Sequence, residues 1–116
     1  MKKRRNIKIN NFDARLFKLE QFIEINNKRT GWSSTDSELP KGVSKVFTEM
    51  LVYDGTIGRN SIFSELIDLD KEYKVHLTDR MKDYMIPGDL FLMTLGKFKN
   101  QWKILYCSSP YKEESA

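Results

Sequence analysis

Apolar residues recur at helical spacing early in the chain. Phe12, Leu16, Leu19, Phe22 and Ile23 share one side, and Arg15, Lys18, Glu20 and Glu24 fall on the other. Asn11 is a suitable N-cap, and Asp13 puts negative charge in the first turn. A helix is expected from there to Asn26-Asn27. Val43, Val46, Phe47, Met50 and Leu51 repeat the spacing and predict a second helix ended by Asp54-Gly55. The competing pattern over 50–57 is strand, Asp-Gly turn, strand. The helical spacing reaches further back, so helix is preferred. Ser61 can cap a third helix through Ile62, Phe63, Leu66 and Ile67.

The period then changes to two. Tyr73, Val75 and Leu77 alternate with Lys74, His76 and Thr78, a half-buried strand. Residues 79–85 fit one helical turn, and Ile86-Pro87-Gly88-Asp89 is a turn signal. Leu90 to Leu95 reads as a buried strand that Gly96 breaks or bends. Trp102, Ile104 and Tyr106 alternate with Lys103, Leu105 and Cys107 and are expected on one core face of a closing hairpin. Trp32, in the polar loop 28–42, is expected to fold back over the core edge. The fold class is α+β: about three helices followed by a small antiparallel β-sheet with a C-terminal hairpin. Residues 1–10 are expected as a flexible basic arm, 11–109 as a single domain and 110–116 as a frayed tail.

Composition supports one globular domain: 116 residues, 40% hydrophobic and 31% charged. The single cysteine, Cys107, excludes an internal disulfide. No apolar run reaches membrane-span length, and none follows the basic start as in a secretion signal, so a cytoplasmic protein without membrane contact is expected. The net charge of +4 is unevenly distributed. Lys2, Lys3, Arg4, Arg5 and Lys8 crowd the start, and Lys97, Lys99, Lys103 and Lys112 lie in a stretch without acids. The middle of the chain is mildly acidic. Such segregation creates a local field that attracts an anionic partner.

Catalytic signals are sparse. One His and one Cys cannot build a Cys/His zinc site, and Asp68-Leu69-Asp70-Lys71-Glu72 lacks the calcium-loop glycine, Tyr73 standing in its place. No phosphate loop, dinucleotide fingerprint or nucleophile elbow occurs. No cofactor, metal or catalytic residue is therefore named, and a non-enzymatic binding or regulatory domain is expected. Its favoured partner is a nucleic acid, DNA or RNA. Lys2, Lys3, Arg4, Arg5, Arg59, Lys97, Lys99 and Lys103 are the candidate phosphate contacts, and Phe98 is the candidate stacking ring. Three helices and a hairpin suit a winged-helix-like module whose third helix enters the groove. Gly55-Thr56-Ile57-Gly58 between two helices suits the backbone clamp of a KH domain. The alternative is a protein-interaction module, homodimeric or with another protein, or a small-ligand domain. The ending Gln101-Trp102-Lys103-Ile104-Leu105-Tyr106 resembles the last strands of NTF2-like domains.

Overall fold

A long helix leads into a five-stranded barrel. The computed structural model describes residues 2–33 and 39–111, with side chains from residue 14 onward within those ranges. The elements are α1 (Lys2–Thr30), β1 (Val43–Ile57), β2 (Asn60–Glu65), β3 (Glu72–His76), α2 (Asp79–Tyr84), β4 (Leu90–Phe98) and β5 (Gln101–Cys107). The α+β class holds. The sheet, however, is mixed and closed, and two helices are described where about three were expected.

The barrel closes in the order β1-β2-β3-β5-β4. Its contacts are antiparallel except at β3–β5, where only Val75–His76 and Trp102–Lys103 pair, in parallel. Antiparallel strands can turn back on themselves, but the parallel seam needs a longer crossover. The crossover from β3 carries α2. Thr78 caps this helix by accepting from the Met81 N–H at 3.4 Å.

Two expected helices are strands. β1 carries Phe47, Leu51 and Tyr53 toward the core and half-buried Val46, Met50 and Val52 on the other face. Apolar residues on both faces imitate helical spacing, and the β-branched and aromatic content then favours the extended form. β2 is buried at every position from Ser61 to Glu65, so no period appears. Ser61, expected as a helix cap, is buried with its hydroxyl 3.3 Å from Thr56 Oγ1. The turn falls at Gly58-Arg59, where Gly58 has φ 63. Asp54-Gly55 ends no helix: the register shifts there, between Tyr53 and Gly55, and Gly55 has φ 116. The winged-helix and KH arrangements both needed the missing helices and are overturned.

The sequence places α1 correctly, but its length differs. Asn11 lies inside it and is no cap, and it runs past Asn27 to Thr30. Gly31, at φ 61, donates its N–H to the Asn27 carbonyl at 3.1 Å and terminates it. Leu16, Leu19 and Ile23 are buried against the barrel end. Arg15 fixes the angle of docking: Nη1 reaches the Tyr84 carbonyl at 2.6 Å and Asp89 Oδ2 at 3.0 Å. The core joins Leu19 and Ile23 to Leu51, Phe63, Val75, Phe91, Met93 and Leu95. No described helix is long and apolar enough to cross a membrane.

Candidate nucleic-acid interface

The β4–β5 hairpin turns over Lys99-Asn100, with Phe98 paired to Gln101. A two-residue turn demands a left-handed residue, and Lys99 supplies it at φ 57. Lys97 Nζ lies 5.6 Å from the Trp102 ring centre, and Lys103 Nζ lies 4.9 Å from that of Phe98. β1 adds further charge, because Lys45 is the cross-strand partner of Lys97. The chain entering β1 lies on Phe98: a Cβ on Gly42 would stand 3.5 Å from the Phe98 ring. That contact brings exposed Lys41 alongside. A shallow cleft of about 470 Å³ opens between Gly42, Phe98, Lys99, Asn100, Gln101 and Lys103.

Among the described residues the ion pairs are Arg15–Asp89, Lys28–Glu24 and Lys82–Asp79. None involves Lys41, Lys45, Lys97, Lys99 or Lys103. Positive charge from the β1 segment and the hairpin therefore lies close together, with Lys97 on the Trp102 face and Lys103 on the Phe98 face, and no ion pair among the described residues neutralises it. The outer face of β3 and β5 extends it with exposed Lys74 on β3, and Lys103 is paired to exposed His76, a neutral donor or acceptor. Glu72 begins that same face, next to the acidic loop of Asp68 and Asp70, whose Asp68 Oδ1 accepts the Asp70 N–H at 3.2 Å. Arg59 stands exposed in the β1–β2 turn.

The rings behave differently from expectation. Phe98 is half-buried under Lys103 and is not a bare stacking surface. Trp102 belongs to an inward cluster: its centroid lies 5.0 Å from Phe47 and 5.7 Å from Tyr73, both edge-on. The Tyr73 hydroxyl donates to buried Glu65, and burial followed by this bond pushes the phenol up to about 12. Tyr106, expected in the core, is exposed. The register slips between Thr94 and Leu95, so Leu105 is an extra residue and the alternation inverts after it. Leu105 is buried over Gly96, which stays inside β4 because it has no side chain to obstruct Leu105.

α1 borders this surface. Asn26 Nδ2 donates to the Ile104 carbonyl at 3.2 Å, and Thr30 Oγ1 donates to Leu105 O at 2.6 Å. Asn27 acts as a strand substitute: its Nδ2 donates to the Cys107 carbonyl at 2.9 Å and its Oδ1 accepts the Cys107 N–H at 3.0 Å. The β5 edge left open by the short parallel seam is thereby satisfied. Sequence patterning named none of Lys41, Lys45, Lys74 and His76 as site residues, because they join the hairpin only through strand pairing or, for Lys41, through the contact of neighbouring Gly42 with Phe98. Lys2, Lys3, Arg4 and Arg5 fall in the first turn of α1, and their side chains lie outside the described ones. The Cys107 thiol is buried, and desolvation pushes it well above its ordinary range, so it fills the core.

Compared with known protein families, curated proteins and solved structures, the chain matches none of them.

Proposed function

We propose that this domain is a non-enzymatic binder of single-stranded nucleic acid, with the β4–β5 hairpin as its main phosphate contact. One observation carries the reading: Lys41, Lys45, Lys97, Lys99 and Lys103 lie on or beside the hairpin, distributed over its two faces, and no described ion pair neutralises them. Architecture supports it by analogy. A five-stranded barrel in this order with a helix after β3 has the arrangement of OB-type barrels, which hold oligonucleotides across β2–β3 and the β1–β2 and β4–β5 loops. Arg59 sits in the first of those loops and Lys99 in the second. A single strand suits a surface made mainly of strands and short turns, which tracks a flexible backbone. Lys2, Lys3, Arg4 and Arg5 begin α1, roughly 40 Å along the helix axis from Thr30, which bonds Leu105 beside the hairpin, so they are left out of the main contact.

The test is fluorescence anisotropy with labelled single- and double-stranded oligonucleotides, DNA and RNA, across a salt series. Contacts to about five phosphates give a log–log salt slope near −3.5 for a single strand. Changing Lys97, Lys99 and Lys103 together to Ala should flatten that slope by about 2 and weaken binding at least tenfold. A variant lacking residues 2–10 should lose less. Binding that ignores the triple change, or that prefers duplex, refutes the reading.

A second reading rests on an apolar groove of about 640 Å³ between Leu66, Ile86, Pro87, Leu90 and Tyr111, where Leu66, Ile86 and Tyr111 are exposed. It makes the domain a protein-interaction module. Light scattering across a concentration series tests the homodimeric form, and a constant monomer mass counts against it.

A further inference from the structure

We infer that the cleft where the last turns of α1 meet the β3–β5 seam is a phosphate pocket, formed by Arg29, His76 and Lys103 and sized for the phosphate and sugar of one nucleotide. The three side chains come from three elements and line one cleft of about 260 Å³. Its volume falls just below the roughly 300 Å³ at which pockets for whole small-molecule ligands begin. Its floor is buried Leu77, Met81, Ile104 and Leu105, which excludes water beneath the three polar side chains.

The backbone that carries these side chains is held in place. Asn26 and Thr30 bond the Ile104 and Leu105 carbonyls on either side of Arg29, so the helix cannot turn it away. His76 and Lys103 are direct partners across the parallel seam. None of the three joins an ion pair among the described residues. The nearest carboxylate of the adjoining cleft, Asp79, is nearly fully exposed and pairs with Lys82 at 3.8 Å. Three donors approaching from separate elements suit a tetrahedral dianion better than a planar carboxylate. The cleft shares Phe98 and Lys103 with the hairpin cleft, and Asn26, Arg29 and Thr78 with a neighbour containing Arg80. A strand leaving the hairpin therefore passes over it. To that extent the inference rests on the nucleic-acid reading, but its own ligand is a mononucleotide.

The experiment is an amide NMR titration of the full chain with inorganic phosphate, thymidine and thymidine 5′-monophosphate. Phosphate and the monophosphate should shift the amides of Arg29, His76 and Lys103, and thymidine should not. Arg29→Ala and His76→Gln should each weaken the monophosphate at least fivefold with little change in Tm, since both side chains are exposed. Lys99→Ala should leave mononucleotide binding unchanged while weakening oligonucleotides. Thymidine binding as well as its monophosphate, shifts centred on Lys97 and Lys99, or wild-type affinity in both pocket variants overturns the pocket. Mononucleotide binding that survives a complete absence of oligonucleotide binding overturns the strand reading alone.

Discussion

Replacing Asn27 by Ala cuts the join between α1 and the barrel at one point. The carboxamide makes two bonds to Cys107, at 2.9 and 3.0 Å, and Cys107 is 1% exposed. Each bond contributes about 1 kcal/mol net, and leaving the buried N–H without a partner costs about 1–3 kcal/mol more. Part of that cost is recovered if water enters the space, so the expected loss is about 2–4 kcal/mol. For a chain of this length the melting temperature should fall by roughly 10 °C. Asn26→Ala is the internal control: it removes a single bond of 3.2 Å to Ile104 and should cost about 1 kcal/mol. Urea unfolding followed by tryptophan fluorescence measures both, with an unchanged m-value confirming that the folded and unfolded states are still the same. If Asn27→Ala costs no more than Asn26→Ala, the carboxamide is not substituting for a strand and the reasoning fails.

Three further outcomes are expected. Gly96→Ala places a Cβ 2.8 Å from Leu105 Cδ1, 3.1 Å from its Cγ and 3.3 Å from Val43 Cγ1, and should destabilise by about 1–3 kcal/mol in the same urea assay. Tyr73 has a folded pKa raised from 10.0 to about 12, so its contribution is complete below pH 10 and is lost as pH rises through 12. Tyr73→Phe should therefore lose stability at neutral pH, because buried Glu65 keeps no hydroxyl donor, and should show a smaller further loss between pH 10 and 12 in an alkaline melting series. Lys99→Gly relieves a left-handed lysine and should raise stability by about 1 kcal/mol while weakening oligonucleotide binding; a stabilised variant with full affinity would remove Lys99 from the interface.

Legibility followed burial. β3 was readable because Tyr73, Val75 and Leu77 face inward while Lys74 and His76 face water. β4 was readable as an apolar run. β1 and β2 were not, because Met50 and Val52 are covered on the outer face and β2 is covered on both, leaving no polar phase to reveal a period of two. The hairpin lysines were legible as charge. Their meeting with Lys41 and Lys45 was not, since that contact spans more than 50 residues of sequence and depends on β1 pairing with β4.

Local chemistry alone settled the apolar stripe of α1 from Leu16 to Ile23, the β4–β5 hairpin, and the lysines that ride on it, since each depends on neighbours a few residues apart. Tertiary structure decided whether Val43 to Leu51 would coil or extend, because the two forms bury similar side chains and pairing with β4 adds to the β-branched and aromatic preference for the strand. It also decided which face Tyr106 takes, through one extra residue at Leu105, and it seated α1 on the open edge of β5. Barrel closure satisfies backbone groups between segments far apart in the chain, and no local pattern records that requirement.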